Sequence, residues 1–186
     1  IAAFLFLSSV SGSLAFSTLL AGDVVSGSVR HVIFALFFIG FGVKAGVIPL
    51  HVWLPEAHPA APSSVSALMS AVLITAGIYG LFRVCAFGLG APDANWGLVF
   101  MAFGALSAIL GVLYAMTQND VKRLLAYSTI ENAGIMLLGL GAGVFARAHD
   151  RGDLAAVAVA ASLYHVLNHA AFKGLLFLGA GGVVLS

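Results

Sequence analysis

Cysteine is almost missing from this chain: Cys85 stands alone, which excludes an intramolecular disulfide and any CxxC metal or iron–sulfur site held within the chain. Charge is equally sparse. Asp, Glu, Lys and Arg make up 8% of the 186 residues while 61% are hydrophobic, so charge is present at about a third of the level usual in soluble domains. The formal net charge of +1 leaves no basic field for nucleic acid. The alternating pattern of barrel strands is also absent. With a mean hydropathy of +1.10, the chain instead shows several apolar runs of about 20 residues, each long enough to cross roughly 30 Å of hydrocarbon. The sequence predicts an all-α, polytopic transmembrane helix bundle that forms one domain over residues 1–186.

Proline is scarce and concentrated. Pro49, Pro55, Pro59 and Pro62 are four of the five prolines in the chain. Each lacks a backbone donor and biases the preceding residue away from helix, so a membrane helix should break around residues 44–55 and continue as a short, irregular or half-helical segment. Around that break the apolar runs predict about six helices: 1–21, 29–47, 64–87, 96–116, 121–143, and a last one that follows the charged loop 147–153 and continues past Lys173. Ser63 and Ser64 are available as N-caps of the third, and Asn119 or Asp120 of the fifth. Because Ile1 to Leu7 already reads as membrane helix and the chain stops among apolar residues, a piece of a longer protein is expected. If loops alternate in side, Arg30, Arg83, Arg147 and Arg151 face one aqueous phase and Lys122 and Arg123 the other, a split too even to fix orientation.

The few ionisable groups that lie inside apolar helices carry the functional signal, because a charge at hydrocarbon depth costs a few kcal/mol and is seldom kept without a use. Lys44 falls in the last turn before the break. There the negative end of the helix dipole favours the ammonium and burial favours the neutral amine, a balance suited to binding and releasing a proton. The alternative is a lysine that snorkels to the interface. His165, His169 and Lys173 stand at i, i+4 and i+8 on one helix face, with Asn168 nearby, and read as a proton wire ending in a lysine. Interhelical hydrogen bonding is the plainer reading, and a metal lacks an obvious third ligand. Glu131, with Tyr127 one turn before it, should be protonated or paired with Lys44, Lys173 or a histidine, acting either as a relay group or as a static tie between helices. Arg83 reads as an interfacial anchor. Lys122 and Arg123 read as headgroup contacts, or with Asp120 as a docking loop. His51, Glu56 and His58 lie at the break, where His51 either passes protons between water and Lys44 or is simply exposed.

Three stretches in order carry a resemblance: Lys44 followed by Val-Ile-Pro-Leu-His51-Val-Trp-Leu-Pro55-Glu-Ala-His58-Pro-Ala-Ala-Pro62, then Gln118-Asn-Asp120-Val-Lys122-Arg123-Leu-Leu-Ala-Tyr127-Ser, then His165-x-x-x-His169-x-x-x-Lys173-Gly-Leu-Leu-Phe-Leu. Over nearly the whole chain they resemble the antiporter-like membrane subunits of respiratory complex I, a family that includes multi-subunit Na+/H+ antiporters and membrane-bound nickel–iron hydrogenases. Residues 58–70 and 128–134 are most similar to the large membrane subunit of hydrogenase-4 and formate hydrogenlyase. The resemblance implies that Lys44 belongs to a discontinuous central helix, and that His165, His169 and Lys173 continue a polar axis between half-channels. It also implies that the carboxylate partner of Lys44 lies outside this chain. One departure stands out. Many members carry a lysine where this chain has Thr75, which can hold water but not a charge near neutral pH.

These readings lead to a proton-translocating membrane subunit of a complex I-like, hydrogenase-linked oxidoreductase complex, set in the cell (inner/cytoplasmic) membrane. The expected proton pathway is Lys44, Glu131, His165, His169 and Lys173, with His51, Thr75, Tyr127 and Asn168 as accessory groups. No catalytic residue, cofactor or metal is expected in the chain itself. The implied partners are other membrane subunits and a peripheral redox arm that holds iron–sulfur and nickel–iron centres. The transported ion is H+, or Na+. Two rival readings are a non-pumping scaffold for such an arm, which Thr75 favours, and a subunit of a stand-alone cation/proton antiporter.

Overall fold

The structure is a computed structural model that describes residues 1–13, 15, 27–86 and 88–185. Helix α1 spans Ala2–Ser11 and ends on Gly12 at φ 69°, so it is shorter than the 1–21 run that apolarity alone suggests; residues 14 and 16–26 lie outside the described residues. Helix α2 spans Ser28–Ala45, the short α3 spans Trp53–Ala60, α5 spans Ala94–Met116, α6 spans Val121–Ala148 and α7 spans Gly152–Leu185. Helix α4 is one helical run made of Ser63–Leu68, Met69–Leu73, Ile74–Gly80 and Leu81–Ala86, its second and fourth stretches wound as π-helix. Among the described residues, five helices are long and apolar enough to cross a membrane, and α1 is a shorter apolar helix.

The break falls where the prolines place it. Helix α2 closes on Gly46 at φ 69°, a left-handed conformation that glycine adopts without Cβ strain. The Val47 amide returns to Gly42 O at 3.0 Å, which satisfies one carbonyl of the last turn. The neighbouring Val43 carbonyl accepts from the Trp53 indole at 2.8 Å, so the half-helix beyond the break caps the helix before it. Asp120 caps α6 by accepting from the Arg123 amide at 2.8 Å. The serines do not cap α4. Pro62 occupies that position, at φ −55° and ψ 148°, and no side chain bonds the first turn, because proline already supplies the extended geometry of a cap. Helix α6 runs past Gly143 to Ala148, and the chain reverses through Asp150 at φ 59°.

Helix α6 is the most buried of the five spans, set between α5 and α7 and crossed by α3. Small residues permit this. A Cβ on Gly134 would stand 2.5 Å from both Ala108 N and Gly104 O, so α5 and α6 touch backbone to backbone. At one end Phe34 stacks on Trp96 with centroids 4.5 Å apart, and Arg30 lies over the same indole at 4.4 Å, tying α2 to α5.

Candidate functional site

Polar side chains attach to successive turns of α6 and form an axis through the bundle. At its N-terminal end, Lys122 donates to Ala61 O at 2.8 Å, and Arg123 reaches Pro55 O at 3.4 Å and Glu56 Oε1 at 2.5 Å. These two cations therefore clamp the segment after the break, because α3 packs against α6 at this level.

One turn further, the carbonyl of Leu125 accepts from Lys173 Nζ at 3.0 Å and from Thr129 Oγ1 at 2.8 Å. Thr129 is in turn 2.8 Å from Ser70 Oγ. With the Thr129 proton committed to Leu125, Ser70 is the donor, and a continuous hydrogen-bonded link runs from α4 through α6 to α7. Lys173, Thr129 and Ser70 are fully buried. Tyr127 lies on the same stretch, with its ring 6.4 Å from His51 and 5.5 Å from Tyr114. Above these, His165 Nε2 meets Asn132 Oδ1 at 2.9 Å, and Ser162 donates to Met136 O at 2.5 Å. His169, between His165 and Lys173 on α7, is fully buried, and neither of its ring nitrogens has a hydrogen-bond partner among the described residues.

The expected residues thus separate into those the fold gathers and those it does not. His165, His169 and Lys173 share the buried face of α7. Asn168, three residues after His165, falls on the exposed side, and Asn132 of α6 provides the amide instead. Spacing along one helix could not have shown this, because the neighbouring helix decides which face is inside. Glu131 is half-buried and makes no ion pair among the described residues. Lys44 is exposed, in a groove lined by Phe4, Phe37, Gly40 and Phe41. Directly after it, Ile48 N donates to the buried Ser107 Oγ at 2.9 Å, which fixes the break to α5. Thr75 directs its hydroxyl to Ala71 O at 2.8 Å and Val72 O at 3.0 Å of its own helix. Arg83 is exposed.

His58 is the residue that sequence reasoning undervalued. It lies in α3, outside the five long spans, yet it is fully buried and stacked on Phe177 of α7 at 4.6 Å and 17°. Burial, and then the charges of Lys173 and Lys122, hold its imidazole well below the usual range, at about 4. The same desolvation lowers His51, which is half-buried beside the break.

An interrupted helix, with a buried histidine and a buried lysine within an apolar span, defines a polytopic helical membrane protein with a polar interior. The whole chain, residues 1–186, matches the family described as NADH:quinone oxidoreductase/Mrp antiporter, TM, and the chain belongs to that family. It is 48% identical to hydrogenase-4 component B of Escherichia coli (strain K12) over 184 residues, 98% of this chain and 27% of that protein. It is 46% identical to formate hydrogenlyase subunit 3 of the same strain over 151 residues, 81% of this chain and 25% of that protein. The chain spans about a quarter of the length of these relatives. The solved structure of the Mrp complex from Dietzia sp. DQ12-45-1b shares the fold, with a TM-score of 0.84 and 23% identity over 98% of this chain and 32% of that one. The chain is thus a membrane-spanning member of the complex I/Mrp type family, and the two relatives carry the names component B and subunit 3.

Proposed function

We propose that the chain is a proton-translocating portion of a membrane subunit in a hydrogenase-linked, complex I-like complex, set as one domain in the cell (inner) membrane. Protons move between Lys44, Glu131, His165, His169 and Lys173, and a peripheral arm with iron–sulfur and nickel–iron centres supplies the driving energy. The observation that carries this reading is the burial of Lys173 and His169 on one face of α7 beside the Ser70–Thr129–Leu125 link. A charged or proton-accepting group enclosed by apolar helices is costly, and a line of them has little structural advantage over apolar packing. The 48% identity to hydrogenase-4 component B supports the hydrogenase-linked form. Coupling is electrostatic: a charge arriving at one member changes the proton affinity of its neighbours.

The non-pumping scaffold has one observation in its favour. The Thr75 hydroxyl is spent on its own helix, so the position where many members carry lysine offers neither charge nor a free donor. The deciding experiment is electron-transfer-driven acidification of vesicles that carry the full parent complex, with Lys44→Ala compared at matched amounts of assembled complex. Loss of acidification with electron transfer retained is expected. Unchanged acidification removes Lys44 from any obligatory path and leaves the scaffold in front. A stand-alone cation/proton antiporter is distinguished by purification: it would be isolated without any iron–sulfur or nickel subunit.

A further inference from the structure

His58 has no assigned part in the relay, yet its surroundings are those of the relay. Its ring packs flat on Phe177, and Phe177 follows Lys173 by four residues on α7, so the imidazole lies over the helix face that Lys173 occupies. His58 and Lys173 are both fully buried. From the other elements, Ser66 of α4 donates to the His58 carbonyl at 2.9 Å, and Lys122 of α6 bonds Ala61 O at 2.8 Å at the rim of the same segment. Glu56 and Arg123 pair on its outer side at 2.5 Å. The backbone around His58 is therefore held, while both ring nitrogens are without a hydrogen-bond partner among the described residues.

An enclosed imidazole with two unpartnered nitrogens costs free energy that a phenyl ring on Phe177 would not. Packing alone does not account for a histidine here. We propose that His58 is a further proton-handing residue, exchanging a proton with Lys173 and passing it between the buried axis and the aqueous rim formed by Ala61 and Lys122. This rests on the relay reading above. In the outward direction an Nζ–H bond of the Lys173 ammonium breaks and an N–H bond forms on the neutral imidazole, leaving an amine and an imidazolium. The other ring nitrogen then releases its proton to water at the rim, and the ring returns neutral. Two adjacent positive charges in a poorly solvated site repel, so a proton on His58 excludes one on Lys173, and the pair delivers protons singly. The same arrangement supplies, at the Lys173 end, a titratable group that Thr75 cannot.

The test uses the full parent complex in vesicles, with acidification measured per electron transferred at matched assembly. His58→Gln keeps polarity without a titratable ring. His58→Phe keeps the ring on Phe177. Both are expected to lower acidification at least about tenfold, as for loss of a positioned proton-transfer group, with electron transfer retained. Lys173→Ala is run beside them. If Lys173→Ala abolishes acidification while either His58 variant acidifies at the wild-type rate, the inference about His58 fails and the relay stands. If Lys173→Ala also acidifies normally, the relay reading itself fails. Loss of assembly in both His58 variants would assign the ring a purely structural role and overturn the proposal.

Discussion

Lys173 and Lys44 are the same residue type in the same bundle, and the fold treats them in opposite ways. Lys173 is fully buried and gives a hydrogen bond to a helix carbonyl that already serves a Thr–Ser pair. Lys44 is exposed in an apolar groove, and the order around it lies in the backbone: the Gly46 closure, the Trp53 indole on Val43 O, and Ser107 on Ile48 N. The Lys173 end of the expected pathway is therefore built from side chains and the Lys44 end from main chain. A buried amine needs partners to hold it, whereas a broken helix needs donors for its freed carbonyls and acceptors for its freed amides. The two ends should fail differently when perturbed.

The largest contrast is expected between Lys173→Ala and Lys44→Ala. Both should abolish acidification in the parent complex, by about a hundredfold or more. Lys173→Ala should also leave a cavity and lower the stability of the detergent-extracted complex by about 2–4 kcal/mol. Lys44→Ala, with an exposed side chain, should leave stability within about 0.5 kcal/mol. Thermal melting of the two purified variants checks this, and equal melting temperatures would erase the distinction between the two ends.

This difference also shows what the sequence could disclose. The break was legible because proline acts locally, through its own missing donor and its predecessor's backbone. The shared face of His165, His169 and Lys173 was legible because four-residue spacing is a property of a single helix. His58 was not, since its burial is decided by Phe177, which is remote in sequence and adjacent in space. Asn168 and Asn132 exchange places for the same reason: helix period puts Asn168 close to His165, but α6 supplies the inward amide. The bonds of Lys122 and Arg123 to the segment after the break were not legible either, because nothing local reveals that this segment packs against α6. Of the two cap positions expected, Asp120 caps α6, while Pro62 takes the position expected of a serine at the start of α4.

A smaller effect is expected at the main-chain end. Ser107→Ala removes the acceptor for the Ile48 amide, leaving a buried N–H unpaired at a cost of about 1–3 kcal/mol. If the break is held from α5 in this way, the variant should expose the 46–52 segment to faster backbone hydrogen exchange while leaving exchange around Leu125 unchanged. Equal exchange at both places would mean that the two ends are not separately built.

The smallest effect is the most informative about Thr75. Its hydroxyl bonds only carbonyls one turn back on its own helix, a local satisfaction that leaves no donor for a water held between the two ends. Thr75→Val keeps the branched shape and should change stability by no more than about 0.5 kcal/mol, with proton transfer at the wild-type rate. Slower acidification at matched assembly would show that the threonine turns outward during transport and joins the ends through water. Unchanged acidification would leave any connection between them to Glu131 and the buried line on α7, and would make the exposed Lys44 and the enclosed Lys173 two stations that communicate by charge rather than through a hydrogen-bonded wire at Thr75.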